Sequence, residues 1–376
     1  MQKVHSHSRK MRGQTLVLAV VLLSLCSTLM LGMFQVSLAV QEKIRLQLSA
    51  DMAVLSALNC QANGLNSIAM ANRAILANDA MAGQINAMVS EATFYRRLTE
   101  EFQRLLRFIP YAGPVSSFIS SGAHTIEKVI RKAASVTLPL THYSNVALRK
   151  AQETVRILLP FYSLRAARAT FKVNMPQAQM TIPSEALVLR QARSLQKSFT
   201  EVQPGSANTL KAKTMDRHTL KRNWRIKVAG LSPVKKTGGT TITSDELVAR
   251  DKLQVKVFQR LRWRWKTVLA TQSQASDFGY QTPAKLMSID TSEIQSALSL
   301  PILVQSDMPS SIVNGPFKEK KLLALSAGRL LYRRDNRADE TANIFNPFWR
   351  AELMPVASEP TAKRIIPEII LKEVRH

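Results

Sequence analysis

Disulfides, metal-binding clusters and acidic residues are what this chain has least of. Its 376 residues contain two cysteines: Cys26 lies inside an apolar run and Cys60 beyond it. Thiols on opposite sides of a membrane boundary cannot pair, so no disulfide framework holds the fold. Packing must do so, with a subunit interface as a second source of stability. The six histidines, among them His124, His142 and His218, stand nowhere at ligand spacing with a cysteine or carboxylate; only the dispersed pair His5 and His7 comes near, and no metal site follows. Glycine-rich phosphate and dinucleotide loops and a Gly-x-Ser-x-Gly elbow are absent. The 26 Asp and Glu residues are scattered without a paired-carboxylate pattern. Cys60, beside Asn59 in a helical run with no histidine nearby, reads as an inert thiol. The chain is therefore read as a non-enzyme without a cofactor.

Acid is scarce against 52 Lys and Arg, which gives a formal charge of +26. Four of these cations, Lys3, Arg9, Lys10 and Arg12, fall in the first fourteen residues, leaving about +22 on the remainder. Such an excess attracts polyanions in general, whether nucleic acid, lipid phosphates or an acidic subunit, and does not choose among them. With 45% hydrophobic residues the chain still has enough apolar material for one or two cores.

Charge is missing altogether from Leu16 to Phe34, nineteen residues that reach about 28 Å as a helix, enough to span a bilayer. Leu16, Val20, Leu23, Leu31 and Phe34 are the anchor residues. The basic tip resists translocation, so the expected topology is N-terminus in the cytoplasm and the rest outside. A signal peptide cut near Ser37-Leu38-Ala39 is the competing reading, but the apolar run exceeds the usual signal-peptide length and amphipathic helix continues through the cut. A lipoprotein site at Cys26 fits less well, because Leu25 is large where a small residue is needed.

Proline is absent from the first 109 residues. Residues 41–109, rich in Ala, Leu, Met, Gln and Glu, read as helix continuing out of the membrane until Pro110. Asn59, Asn63 and Asn66 share a face and can either bond to another helix or form a solvated stripe. After a turn at residues 111–114, two further helices are expected, broken at Leu138-Pro139-Leu140. Past Pro160 the pattern moves toward period two. The clearest strand runs from Leu253 to Leu269, with Leu253, Val255, Val257, Leu261, Trp263, Trp265 and Leu269 alternating with cations, and a bulge or corner is expected at Phe258-Gln259. Trp224 to Val228 alternates similarly, Gly238-Gly239 offers a hairpin turn, and Leu323 to Tyr332 can add a strand. Residues 208–223 and 306–321 read as loops. The tryptophans are in phase with the apolar face and opposite Arg260, Arg262, Arg264 and Lys266, which argues against a base-stacking platform and hence against nucleic acid. The expected fold is α+β: a cytoplasmic tip (1–14), a transmembrane helix (15–40), a helical stalk or bundle (41–160) and an antiparallel β-rich domain (161–376).

Three stretches carry a resemblance: Arg12-Gly13-Gln14-Thr15-Leu16-Val17-Leu18, the run Leu65-Asn66-Ser67-Ile68-Ala69-Met70-Ala71-Asn72-Arg73-Ala74-Ile75-Leu76-Ala77-Asn78, and Asn346-Pro347-Phe348-Trp349-Arg350-Ala351-Glu352-Leu353. In these the chain resembles the TadE/TadG-like pilus-assembly proteins of the Tad (Flp) machinery. The resemblance implies an inner-membrane, pilin-like structural component, with pilus or secretion assembly proteins, the membrane and further copies of itself as partners. Pilins cut after a glycine carry glutamate five residues on; here that position is Leu18, so a retained anchor is expected. No Asp-x-Ser-x-Ser motif is present, and the metal-binding domain of some relatives is not carried over. Asn72, Arg73, Asn346, Pro347, Phe348 and Trp349, with the four strand cations, are the candidate partner contacts. The alternative is a tethered polyanion-binding module, recognised by release of its ligand as salt rises.

Overall fold

The computed structural model describes residues 8–106, 112–227, 234–242, 247–259, 264–276, 280, 285–290, 299–307, 321–334 and 340–355. It is an α+β structure built on one helix. Helix α1, Ser8–Leu106, is 99 residues long. With no proline and mostly straight-chain or small residues, nothing in this segment interrupts the i to i−4 ladder. Its apolar run from Leu16 to Phe34 is exposed throughout, and from Leu46 onward one face is buried at 0% exposure at Leu46, Ala50, Val54, Leu58 and Leu65. Two halves of one helix thus meet different surroundings.

Helix α2, Ala112–Asn174, folds back antiparallel on α1. Gln61 Nε2 donates to Ser163 Oγ at 2.8 Å, Gln152 Nε2 to Asn72 Oδ1 at 2.9 Å and Asn78 Nδ2 to Asn145 Oδ1 at 2.8 Å, which fixes the register along the pair. The break expected at Pro139 does not occur: α2 runs through both Pro139 and Pro160. A proline inside a helix forfeits a backbone bond at a cost of about 3 kcal/mol. Leu138 and Leu159, each preceding a proline, are buried, and their packing offsets that loss. At Gly64 a Cβ would come within 2.6 Å of Leu159 Cδ1, so a side chain at that position would have to displace Leu159.

Short helices α3 (Ile182–Lys197), α4 (Pro204–Thr214) and α5 (Arg217–Leu220) follow. The loop expected over residues 208–223 is therefore largely helical, started by Pro204 in the first turn of α4 and by the Asp216 cap of α5, whose carboxylate accepts from Thr219 N at 3.2 Å. The strands are β1 (Gln179–Met180), β2 (Phe199–Glu201), β3 (Trp224–Ile226), β4 (Val234–Ile242), β5 (Leu247–Gln259), β6 (Arg264–Ala275), β7 (Met287–Ile289), β8 (Ser299–Asp307), β9 (Lys321–Tyr332) and β10 (Trp349–Met354). They form antiparallel sheets in the orders β1-β8-β9-β10, β2-β7 and β3-β4-β5-β6.

Two sequence expectations are corrected here. The strand read over Leu253–Leu269 is two antiparallel strands, β5 and β6, with Gln259 paired to Arg264, and the register irregularity falls between Val255 and Lys256. Gly238 and Gly239 are not a turn but the middle of β4, opposite Asp251 and Arg250. A Cβ on Gly239 would lie 2.6 Å from the Leu220 carbonyl oxygen, and one on Gly238 would collide with the Asp251 carboxylate, so glycine here marks close approach rather than reversal.

Both larger sheets lean on α1. The main core joins Leu46 to Ile68 of α1 with Leu159 and Phe171 of α2 and with Leu300, Ile302, Leu330 and Trp349 of the first sheet. Farther along α1, Ala82 and Val89 pack with Ala134, Leu138, Leu247 and Ala249, and Phe94 packs on Leu253 and Leu269.

Candidate functional site

The buried face of α1 is mainly apolar from Leu46 to Ile68 and carries polar residues farther along the helix. Leu58, Leu65, Asn72, Asp79, Asn86 and Thr93 recur every seven residues, each no more than 2% exposed. Heptad spacing keeps all six on one line, where α2 and the sheets meet the helix. Asn72 spends its whole amide on the fold: Nδ2 donates to the carbonyls of Met287 and Ile344 at 2.9 Å each, while Oδ1 accepts from Met287 N at 3.2 Å and Gln152 Nε2. Asn86 Nδ2 reaches Leu247 O at 3.2 Å. Off the same line, Asn66 clamps β10 at both backbone polar groups of one residue, donating to Trp349 O and accepting from Trp349 N at 3.0 Å each. Asn59 and Asn63 stay exposed.

Three ionic knots hang on this seam. Asp79 is bound by Lys211 Nζ at 2.9 Å, by Asn145 at 3.0 Å and by the Tyr280 hydroxyl, with Lys211 itself only 2% exposed. Burial pushes the Asp79 carboxyl up despite the Lys211 ammonium and these hydrogen bonds. Burial and the Asp79 charge push the Tyr280 hydroxyl up as well. Asp251, wholly buried, accepts from Arg222 Nε and Nη2 at 3.1 Å each and from Ser90 Oγ at 2.6 Å, and lies 3.4 Å from Lys236 Nζ. Lys236 in turn meets Glu91 at 2.8 Å and sits 4.8 Å over the Phe94 ring. At Glu127 burial acts upward on the carboxyl, yet hydrogen bonds from Arg131 and Thr93 and the Arg96 and Arg131 charges outweigh it and hold the group below the usual carboxylate range.

The C-terminal motif forms a fourth polar knot. Glu340 accepts from Tyr332 at 2.8 Å, Asn346 at 2.6 Å and Asn343 at 3.1 Å, and these bonds hold its carboxyl down to about 2. Trp349 is 2% exposed and donates Nε1 to Asn343 O at 2.8 Å; Phe348 stacks edge-on with Tyr332 under the Arg334 guanidinium.

Of the candidate contacts, the structure thus puts Asn72 and Trp349 in the interior, where their polar groups are occupied within the chain, and Asn346, Pro347 and Phe348 half-buried around them. Arg73 is exposed and lines an open groove of about 400 Å³ with Met81 and Gln84. Arg260 and Arg262 lie outside the described residues; Arg264 and Lys266 begin β6, and on its neighbour β5 Lys252 and Lys256 are exposed opposite buried Asp251 and Leu253. Leu16, Val20, Leu23, Leu31 and Phe34 are all exposed along the apolar half of α1. Cys60 borders a groove of about 590 Å³ between α1 and α2, and burial pushes its thiol up, away from the reactive thiolate. Among the described residues no group of three or more His, Cys, Asp or Glu is placed to hold a metal.

Sequence reasoning missed Asp79, Asp251, Lys211, Arg222 and Lys236, taking the acids as scattered. The signal was present in part: polar residues at 72, 79, 86 and 93 repeat at seven on a helix whose neighbouring rows are apolar.

Taken together, these features define a class: an α+β protein with, among the described residues, one helix, near the N-terminus, long and apolar enough to cross a membrane, none of whose most apolar stretch is buried. No family model, no curated protein and no solved structure matches the chain.

Proposed function

We propose that the chain is a membrane-anchored, pilin-like structural component of a Tad/Flp-type pilus or secretion assembly, with its N-terminus in the cytoplasm, its anchor in the bacterial inner membrane and its folded part in the periplasm. One observation carries the reading: α1 is a single helix whose apolar stretch Leu16–Phe34 is exposed and whose length from Leu46 onward is the spine on which helices and sheets are assembled. In that arrangement a force or contact at the folded end passes into the membrane through one unbroken element. The uncharged run supports the lipid-embedded half, and the basic tip before it supports the orientation. The family resemblance at Arg12–Leu18, Leu65–Asn78 and Asn346–Leu353 supplies the kind of assembly.

Deleting the gene in its own host is expected to abolish the surface fibre or the secreted product, with restoration by the full chain and none by a chain lacking residues 16–34. Capture from solubilised membranes is expected to bring down other assembly components at all salt concentrations. Intact fibres in the deletion strain, with a polyanion as the bound ligand and binding that weakens steeply with salt, would instead establish the tethered polyanion-binding module.

A further inference from the structure

The outer face of α2 carries a second heptad row, and no described residue outside α2 buries its large apolar members. Between Val115 and Tyr143, steps of four and three residues alternate without a break through Ile119, Gly122, Ile126, Val129, Ala133, Val136 and Leu140. The large apolar members of this row are each more than half exposed. The row extends 29 residues, about 43 Å along the helix. Over this length α2 packs on α1 through a different face, which includes Ser120, Glu127, Ala134, Leu138 and Asn145. The sheets pack against α1, so among the described residues the outer face of α2 is left open. Seven large apolar residues in one unbroken row exceed what scattered surface residues present.

Lipid is not the occupant. Asn78, which bonds α2 at Ser144 and Asn145, lies forty-four residues beyond Phe34, so the near end of the stripe sits about 66 Å along α1 from the anchor. The charge pattern points to the chain itself. The chain carries +26, yet the rows flanking the stripe are nearly free of charge: Phe118, Thr125 and Lys132 on one side, Ala123, Ile130 and Thr137 on the other. A site for an acidic partner would carry its cations in these rows, where they meet the partner's flank. Two copies of so basic a chain, by contrast, need a neutral contact strip.

We propose that α2 pairs with α2 of a second copy, parallel and in register, through the Val115–Tyr143 stripe. The parallel sense rests on the anchoring proposed above, since two copies in one membrane point the same way. In that register the single flanking cation, Lys132, faces Thr137 of the second copy rather than another charge, and Gly122 and Ala133 meet their own counterparts without crowding.

Cysteine cross-linking of the full chain in membranes, in a Cys26→Ala, Cys60→Ala background, tests the pairing. Val129→Cys and Leu140→Cys on the stripe are expected to give about tenfold more disulfide-linked homodimer than Ser135→Cys, which is exposed on the same helix but off the stripe. Val129→Glu with Val136→Glu, at positions solvated in the single chain, is expected to leave unfolding unchanged and to reduce the mass of the detergent-solubilised protein to one chain. Equal yields on and off the stripe, a one-chain mass for the unaltered protein, or capture of the stripe cysteine chiefly by another protein would each overturn the proposal. Cross-links between Val115→Cys on one chain and Tyr143→Cys on another would overturn the parallel sense. Membrane extraction reads the anchor independently, so failure of the anchor and failure of the pairing are distinguishable.

Discussion

Asp251→Ala is expected to destabilise the protein by about 3–5 kcal/mol, the range for removing one partner of a buried ion pair. The magnitude follows from what remains. Arg222 and Lys236 are each 1% exposed at the side chain and lose the carboxylate that both of them face, leaving only Glu91 beside Lys236. Ser90 loses an acceptor as well. Glu352→Ala, which removes the exposed partner of Arg329, is the control and is expected to cost less than about 1 kcal/mol. Urea unfolding of the detergent-solubilised chain distinguishes the two; equal midpoints would mean that the knot at Asp251 does not hold the β3-β4-β5-β6 sheet to the helix.

Asn72→Ala is the second large effect, at least about 3 kcal/mol, because buried groups that lose a partner cost about 1–3 kcal/mol each. Met287 N and O, Ile344 O and the Gln152 amide all bond to this one side chain. These groups belong to α2, to β7 and to the segment before β10, so the substitution is expected to loosen three elements together. The neighbouring Arg73→Ala, at an exposed position, should stay within about 0.5 kcal/mol. Hydrogen exchange at Met287 provides the local readout: its amide is expected to lose protection in the Asn72 variant and keep it in the Arg73 variant.

Those two neighbours also show how far the sequence can be read. The helix through residue 106 was legible because it lacks proline and keeps its apolar spacing, and the α+β class was legible because period-two alternation appears around Leu253. What could not be read was the use of each polar residue. Asn72 and Arg73 look alike on a helix until the partners from residues 287 and 344, more than two hundred positions away, are known. Pro139 and Gly238-Gly239 misled for a related reason: local rules mark a break or a turn, and tertiary packing by Leu138 and Asp251 decides otherwise. The reversal after Gln259 was legible only as a bulge or corner at Phe258-Gln259, because the cationic alternation resumes beyond that point. Helices α4 and α5 escaped notice because a short polar helix owes its form to a proline start or an Asp cap rather than to an apolar stripe.

The account stands on α1 being held in lipid along its apolar half, and alkaline carbonate extraction of membranes carrying the full chain is its most direct test. The chain is expected to remain entirely in the membrane pellet at high pH, as an integral protein does, and to be freed from it once residues 16–34 are deleted. Recovery of the unaltered, full-length chain in the carbonate supernatant would contradict the account.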